Sequence, residues 1–556
     1  MREAAEDPKK IWKMAKWARG DTNQRSTPPQ FPAIKDKEGT LQETLEGKAK
    51  ALAQEFFPEP TPVDLSDIPN TVYPEEIPVD CEITPGEVQK IFSQLAAYKA
   101  PGPDQIPNLF LKQTKTELSE LVAPFMQACI QKGYLPKPFK TSTTVVLRKP
   151  QKPDYSKAWA YRPIALLNTI SKVLEALVAK RLSTEAEERN LFPQHQMGAR
   201  PGRSTISALE LITEQVQAIW GTHKGHVASM LCLDISGAFP SVSHPRLIHH
   251  LKACQIPSNL VQFVQSFLQD RTTCLRLGEY TDIPRPPPTG IPQGSTLSPI
   301  LFLYFARTLL PEIEKSGVSA MGFVDDTNML AWGKTTEENC RKLEEAHEIC
   351  VQWAKTHGAT WSPQKYMLIH FTRARRKHNL QARVDIQGFD GRPVPSLRLL
   401  GVEVDTKLRW GPHIKKVAEK VESHMNSIHK LCQSTWGASF QKARHTADVR
   451  PAMAYGGKVW ARIKVIDKQS RAQMDALEKI QNTALRRITG AYKSVPACIL
   501  QQEAEIPPLG LYIQQMAFNQ AHRDQLGGKT TAVIEEAVKK IQSRTQRQAD
   551  PKTQEK

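Results

Sequence analysis

The sequence predicts a mixed α+β fold that ends in a helical region. Between residues 86 and 405, apolar segments of strand length and of helix length alternate, and Pro and Gly turns separate them. In residues 412–431, apolar side chains recur at spacings of three and four, which predicts a helix, and residues 470–488 predict another. With 556 residues, the chain is long enough for several domains and a large buried core.

Composition sets both ends of the chain apart from this region. Residues 1–85 are rich in Pro and in charged residues, which predicts an extended linker, because Pro interrupts long helices and central strands. Within them, residues 11–17 form an amphipathic segment of helical pattern. Residues 526–556 are polar and predict a disordered tail. The domains expected from these boundaries are 1–85, 86–405, 406–525 and 526–556.

The chain carries an excess of positive charge. Its 75 Lys and Arg residues outnumber 57 Asp and Glu residues and give a net charge of +18, which predicts a polyanionic partner such as nucleic acid. A membrane fits less well, because the sequence has neither a long apolar run nor a signal peptide, so we expect a soluble intracellular protein. The nine cysteines form no C-x-x-C pair, which predicts reduced thiols without a zinc site.

Half of the net charge lies in one stretch of helical pattern. Residues 406–464 contain 12 Lys and Arg residues against 3 acidic residues, a local excess of nine positive charges. This density predicts contacts with a phosphate backbone, and the candidate residues are Lys415, Lys416 and Lys420. The alternative is a solvated basic face that binds no ligand.

Three carboxylates follow apolar segments of strand length. Asp234 is the only charged residue in the apolar run 227–235. Asp325 and Asp326 lie between two further apolar segments, which predicts a strand, an acidic turn and a strand. An Asp-Asp pair alone is weak evidence, since such residues are common in turns. Adjacent carboxylates repel each other, however, and a site of oxygen ligands that must stay ionised indicates Mg²⁺ or Mn²⁺, with two ions serving phosphoryl transfer.

The sequence around these aspartates resembles three motifs of reverse transcriptases. Residues 233–239, Leu-Asp-Ile-Ser-Gly-Ala-Phe, look like motif A, and residues 323–326, Phe-Val-Asp-Asp, look like motif C. Residues 290–299 lie between them and resemble motif B almost residue for residue, with the sequence Gly-Ile-Pro-Gln-Gly-Ser-Thr-Leu-Ser-Pro. The order of the three motifs makes the chain similar to reverse transcriptases of non-LTR, LINE-type retrotransposons, and more narrowly to fungal-type elements.

Flanking segments extend the resemblance across about residues 86–525. Residues 161–167 and 194–203 resemble two blocks of the fingers, and residues 399–402 resemble the primer grip. The resemblance implies a right-hand polymerase, with fingers and palm at 86–405 and a basic, helical thumb and connection at 406–525. It also implies that the chain is the polymerase part of a longer polyprotein, without its endonuclease or an RNase H domain.

The resemblance implies roles for individual residues. The implied metal-binding residues are Asp234, Ile235, Asp325 and Asp326. The residues implied to bind the incoming nucleotide are Lys149, Arg162, Phe239, Gln293 and Gly294. Lys365 is implied as the proton donor to pyrophosphate, although its neighbours Tyr366-Met367 depart from motif D. The alternatives are a solvated loop lysine for Lys149, a surface salt bridge for Lys365 and a core position for Phe239.

The implied activity is RNA-directed DNA synthesis, in the nucleus or, as the alternative, in the mitochondrion. Its implied partners are an RNA template, a DNA primer and deoxynucleoside triphosphates, with no membrane. Two alternatives stand beside it. The first is an RNA-directed RNA polymerase, against which Phe239 argues, because an aromatic ring beneath the sugar leaves no room for a 2′-hydroxyl. The second is a polymerase fold that only binds RNA, against which the intact aspartates argue. Phe239 is followed by Pro240 where many relatives have Asp, and that Asp is not a metal ligand of the family.

Overall fold

The computed structural model describes residues 31–549 except 151, 375, 432–445, 447–448, 462–467 and 528. The amphipathic segment predicted at residues 11–17 lies outside this range. The strands are β1 (Ile34–Lys35), β2 (Leu41–Gln42), β3 (Thr141–Arg148), β4 (Tyr161–Leu167), β5 (Val227–Leu233), β6 (Thr272–Leu277), β7 (Tyr280–Thr281), β8 (Ser319–Phe323), β9 (Asp326–Gly333), β10 (Met367–Phe371), β11 (Ser396–Leu399) and β12 (Val402–Asp405).

Helices surround these strands and dominate the C-terminal third. In the first half they are α1 (Leu45–Phe56), α2 (Pro85–Gln94), α3 (Asn108–Gln113), α4 (Lys115–Gln131), α5 (Thr169–Glu188), α6 (Thr205–Thr222), α7 (His244–Ala253) and α8 (Ser258–Leu268). In the second half they are α9 (Ser298–Ala306), α10 (Leu309–Lys315), α11 (Thr336–His357), α12 (Gly411–Leu431), α13 (Arg450–Ala454), α14 (Gly457–Trp460), α15 (Lys468–Thr489), α16 (Ala497–Glu503), α17 (Leu509–Gly527) and α18 (Lys529–Ala549). In the described part of the chain, none of the helices combines the length and the apolar character that a membrane span requires.

An antiparallel sheet of order β10-β5-β9-β8 forms the centre of the fold. Every residue of β5 is buried, and its side chains alternate between two hydrophobic clusters. Leu231 and Leu233 join a cluster formed with α5 and α7 to α11. Met230 and Cys232 join a second cluster formed with α6 and the C-terminal helices. Helices therefore cover both faces of the sheet, which explains why β5 is a continuous apolar run rather than an alternating one.

A second, mixed sheet of order β4-β3-β6-β7 lies on the N-terminal side of the chain. Its β3 pairs antiparallel with β4 and parallel with β6. The third hydrophobic cluster covers it and includes Tyr161 of β4 and Leu275 of β6. This sheet carries the segment 161–167, so it positions the predicted phosphate-binding arginine, Arg162.

The prediction of an extended linker at residues 1–85 is wrong for residues 31–57. There, β1 and β2 form a hairpin and α1 packs Leu52 and Phe56 into the third cluster. Pro32 precedes β1 and Pro58 follows α1, so no proline interrupts these elements, and the Thr44 hydroxyl caps α1 by accepting a hydrogen bond from Gly47 N at 3.1 Å. Residues 57–84 contain no helix or strand, but Asp67 fixes them to α7 through a bidentate ion pair with Arg246.

The prediction of a disordered tail from residue 526 is wrong for residues 529–549, which form α18. Val533, Ala537 and Ile541 recur every fourth residue and are buried in the second cluster, which α6 shares. The apolar stripe is narrow and the overall composition is polar, so the helix depends on tertiary contacts, chiefly with α6 and also with α17. The two helices predicted at 412–431 and 470–488 are confirmed as α12 and α15.

Two buried histidines link α7 to α11 beside the central sheet. His250 and His357 stack with ring centroids 5.2 Å apart, and their Nε2 atoms are 3.0 Å apart. His357 Nδ1 lies 2.8 Å from the carbonyl oxygen of Trp353 and donates to it, so its Nε2 accepts the proton of His250 Nε2. Burial lowers the pKa of His250 to about 2 and that of His357 to about 3, so both rings stay neutral.

We expect these histidines to make the fold sensitive to acid. Both pKa values are depressed in the folded chain, so their contribution to stability is complete above about pH 6.5 and is lost as the pH falls below it. The slope is roughly 1.4 kcal/mol per pH unit for each histidine. His250→Phe keeps an aromatic ring and removes one of the two groups. Urea unfolding of wild type and variant between pH 7 and 4 should give free-energy curves that converge as the pH falls; parallel curves would contradict the assignment.

Candidate active site

The register of the central sheet brings three aspartates to one end of it. β5 and β9 pair antiparallel, and continuing their register beyond β5 sets Asp234 opposite Asp326. The β8–β9 hairpin closes through a turn of two residues, Val324 and Asp325. Asp234, Asp325 and Asp326 therefore lie together although about 90 residues separate the first from the other two.

Burial and neighbouring negative charges raise the pKa of two of these carboxyl groups. Burial raises the pKa of Asp325, and the charge of Asp234 raises it further. The pKa of Asp326 is raised to about 6, first because protein atoms displace water from its carboxyl group and then because Asp325 and Asp234 are close. Asp326 is nevertheless exposed as a residue, so solvent reaches it. Both groups are disfavoured as anions unless positive charge approaches them.

Lys365 supplies such a charge. It lies in a 3-10 turn, Pro363–Lys365, that precedes β10, and its Nζ is 2.6 Å from Asp234 Oδ2. Its ammonium group also lowers the pKa of Asp325 and Asp326. The structure thus shows Lys365 in a salt bridge, which the sequence left as the alternative to a proton donor, and its partner is one of the three aspartates.

The second sheet presents two more cations to the same place. Arg162 of β4 is exposed and lies near enough to Asp325 to lower the pKa of its carboxyl group. Lys149 follows β3, donates to the carbonyl of Trp159 at 2.8 Å, and has its pKa lowered by burial and then by Lys365 and Arg162. Three cationic side chains therefore face the acidic end of the central sheet.

The backbone next to Asp234 adds one more oxygen. The carbonyl of Asp234 accepts a hydrogen bond from Ser362 N at 2.9 Å, and Ser236 N donates to Thr360 O at 2.7 Å. Because successive peptide groups of a strand point in opposite directions, the carbonyl of Ile235 points away from residues 360–362. Ile235 itself is buried, so its contribution to a site is limited to this backbone oxygen.

The donor set fits a hard divalent cation. It consists of carboxylate and carbonyl oxygens alone, which suits Mg²⁺ and Mn²⁺, and a cation would stabilise the anions that burial and neighbouring carboxylates disfavour at Asp325 and Asp326. Within the described residues, no three His, Cys, Asp or Glu side chains already lie close enough to enclose an ion. Asp234 is bound to Lys365 instead, so metal binding requires its carboxylate to exchange an ammonium for a metal ion.

The segment 290–299 forms a turn that joins β4 of the second sheet to the loop after β5. The carbonyl of Gln293 accepts a hydrogen bond from Ala165 N of β4 at 2.7 Å. Gly294 has a φ of +136°, and a Cβ atom there would lie 2.4 Å from Ala165 O, so the close approach requires glycine. Gln293 and Gly294 are thereby fixed on the strand that carries Arg162.

Glu175 of α5, which is not among the residues predicted from the sequence, anchors this turn. Glu175 is fully buried and accepts hydrogen bonds from Ser171 Oγ at 2.7 Å and from Ser295 Oγ at 2.5 Å. Ser295 Oγ in turn accepts from Leu297 N at 3.0 Å. Burial raises the pKa of Glu175. The sequence signal for such a buried carboxyl group is that Glu175 is the only polar residue in the helical run 173–179.

Phe239 lies at the border between the site and the core. It is half-buried, and its ring packs against Phe302 of α9 with centroids 5.6 Å apart. Its carbonyl accepts a hydrogen bond from Ile291 N at 2.9 Å, which ties it to the 290–299 turn. The structure therefore gives Phe239 a packing role and leaves the residue partly exposed.

The candidate lysines of the basic stretch lie apart, on α12. Lys415, Lys416 and Lys420 are exposed, while the opposite face of the helix packs into the second cluster. Lys416 Nζ is 2.5 Å from Glu403 Oε1 of β12, so one of the three already has an acidic partner. Their exposure is compatible with a phosphate ligand and equally with a solvated face.

Residues 148–404 match the family model of reverse transcriptases (RNA-dependent DNA polymerases). The chain is 27% identical over 412 residues to the probable RNA-directed DNA polymerase from transposon BS of Drosophila melanogaster, covering 72% of this chain and 44% of that protein. It is 25% identical over 442 residues to the RNA-directed DNA polymerase from mobile element jockey of the same species, covering 78% of this chain and 47% of that protein. The chain thus spans about half the length of the curated relatives it matches.

Among solved structures, telomerase from Candida albicans, in complex with a TWJ fragment of telomeric RNA, aligns over 70% of both chains with 11% identity. The TM-score of this alignment is 0.40. The family match supports the predicted α+β, right-hand polymerase fold. Residues 148–404 are a reverse transcriptase domain, and the relatives of this chain are RNA-directed DNA polymerases of non-LTR retrotransposons.

Proposed function

We propose that this chain copies RNA into DNA, adding deoxynucleotides to the 3′ end of a DNA primer. The observation that carries the proposal is the convergence of Asp234, Asp325 and Asp326 at one end of the central sheet, opposite three cationic side chains. Asp234, Asp325 and Asp326, with the carbonyl of Ile235, would hold two Mg²⁺ or Mn²⁺ ions. When bound, the ions activate the primer hydroxyl and stabilise the leaving pyrophosphate.

The chain's own residues then bind and orient the nucleotide. Arg162 offers a planar guanidinium that binds phosphate oxygens bidentately, and Lys149 adds positive charge beside it. Lys365, released from Asp234, lies within the same cationic group and is suited to give a proton to the departing pyrophosphate. Gln293 and Gly294 lie on the turn held against β4, so the nucleotide base would meet a fixed surface.

Domain roles follow from the positions of these residues. The second sheet, with β3 and β4, serves as the fingers, because it carries the residues that contact triphosphate. The central sheet serves as the palm, because it carries the aspartates. The helices from α12 onwards serve as thumb and connection, and the exposed lysines of α12 contact the template-primer duplex.

Primer extension tests the central assignment. With an RNA template, a DNA primer and Mg²⁺, wild type should incorporate deoxynucleotides, and Asp325→Asn should reduce incorporation by roughly a hundredfold or more, because one metal-binding charge is removed. Asp390→Asn is the matched control, since Asp390 is an exposed aspartate paired only with Arg392 in its own loop. A folded wild type without activity would favour the alternative of a polymerase fold that only binds RNA.

A substitution at Phe239 distinguishes the hypothesis of DNA synthesis from that of RNA synthesis. Phe239→Val should admit ribonucleotides while keeping appreciable deoxynucleotide use, because the ring beneath the sugar excludes the 2′-hydroxyl and offers it no hydrogen-bonding partner. Phe302→Val is the control: it removes the same ring contact from the core side, costing roughly 1 to 3 kcal/mol of stability without opening the sugar site. Equal use of both sugars by wild type would revive the RNA-polymerase alternative.

Affinity for a template-primer duplex tests the lysines of α12. Replacing Lys415, Lys416 and Lys420 by Gln should weaken binding and lower the slope of log affinity against log salt by roughly one per lysine, since each phosphate contact releases a counterion. The same three-charge change at Lys90, Lys132 and Lys355, exposed lysines elsewhere, is the control for net charge alone. An identical slope in both triple variants would assign the effect to net charge and remove the contact role.

A further inference from the structure

The turn that carries Asp325 and Asp326 has a strained backbone. Val324 occupies its first position with a φ of +59°, in the left-handed region. Two-residue hairpin turns of this kind usually have glycine there, because a Cβ atom clashes in that conformation and a β-branched side chain clashes most. A residue stays in such a strained conformation only where surrounding contacts hold it there.

The side-chain amide of Gln196 binds both backbone groups of Val324. Gln196 Oε1 accepts a hydrogen bond from Val324 N at 3.2 Å, and Gln196 Nε2 donates to Val324 O at 3.2 Å. Oε1 also accepts from Gly198 N at 3.2 Å. These partners fix the orientation of the amide, since N–H groups face its oxygen and a carbonyl faces its nitrogen. Gln196 is buried, so water does not compete for these bonds.

Two glycines make room for this contact. A Cβ atom on Gly198 would lie 2.4 Å from Val324 N, and a Cβ atom on Gly322 would lie 2.8 Å from Gln196 Nε2. Both distances are shorter than real Cβ contacts allow, so any larger residue would push the amide away from the turn. Each glycine therefore faces a residue of the other segment: Gly198 lies against Val324, and Gly322 lies against Gln196.

The segment around Gln196 is itself firmly held. It adds to the edge of the central sheet beside β8, where Met197 N donates to Gly322 O at 2.8 Å and Gly322 N donates to His195 O at 3.1 Å. Buried Arg200 forms a bidentate ion pair with Glu187 of α5, at 2.6 and 2.9 Å. The amide thus projects from a rigid support, which is what a group needs if it is to hold another in a strained conformation.

We propose that Gln196 is a positioning residue that holds Val324 in its left-handed conformation and thereby fixes the carboxylates of Asp325 and Asp326. It does not touch the reacting atoms. Because two backbone hydrogen bonds determine the direction of the turn, their loss lets Val324 relax and moves the two aspartates out of register with Asp234. The inference rests on the proposed function for its kinetic consequence, whereas the contact itself concerns the fold alone.

Hydrogen exchange tests the contact without any catalysis. In Gln196→Ala, the amide of Val324 loses its acceptor, so a peptide covering residues 322–327 should exchange faster than in wild type, while peptides from α11 should not change. Gln194→Ala is the matched control: Gln194 lies two residues away and its side-chain partners are Asn190 and Arg203. Unchanged exchange at 322–327 in Gln196→Ala, or the same increase in Gln194→Ala, would overturn the proposal.

A double-mutant cycle tests the kinetic consequence. Gln196→Ala should lower kcat/KM for primer extension roughly ten- to a hundredfold and raise the Mg²⁺ concentration needed for half-maximal rate. Glycine adopts a positive φ without strain, so in a Val324→Gly background the same substitution should cost no more than about threefold. Equal losses of kcat/KM in both backgrounds would overturn the proposal, because a general packing defect would lower kcat/KM by the same factor whichever residue stands at position 324. A wild type that makes no DNA would instead overturn the proposed function, and hydrogen exchange would still decide the contact.

Discussion

Mutual repulsion among three carboxylates is the constraint on which this structure depends. Asp234, Asp325 and Asp326 meet because β5 and β9 pair in one register, and the pKa values of the latter two are raised, first by burial and then by the neighbouring carboxylates. A shift of register by one residue would turn the side chains of β5 to the opposite face and separate Asp234 from Asp326. The side chains of β5 pack into different clusters on its two faces, so the hydrophobic core maintains an arrangement that electrostatics opposes.

The same constraint explains how the two sheets are joined. The acidic end of the central sheet faces Lys149, Arg162 and Lys365, and two of these cations come from the second sheet or the loop after it. The 290–299 turn is bound at two points: the carbonyl of Gln293 accepts a hydrogen bond from Ala165 N of β4, and Ser295 Oγ donates to Glu175 of α5. These contacts fix the turn beside the strand that carries Arg162.

The sequence predicted those features that follow from local pattern. The apolar run of β5, the acidic hairpin, the turn with Gly294, and the helices α12 and α15 all have a periodicity or a motif that reveals them. It failed at α1 and α18, because a Pro-flanked segment and a polar helix with a narrow apolar stripe are stabilised by distant partners in the tertiary structure. Glu175 and Gln196 were missed for the same reason: each acts on residues more than 100 positions away.

The chemical identity of Gln196 follows from where its amide lies. A lysine at this position would donate to the carbonyl of Val324 but would also bring a cation to Asp325 and Asp326, competing with any metal ion there. A glutamate would accept from Val324 N but would face the carbonyl of Val324 with a second negative oxygen and raise the repulsion further. A neutral amide both donates and accepts, so it holds the backbone of the turn while leaving the charge balance of the site to the aspartates, the lysine and the arginine.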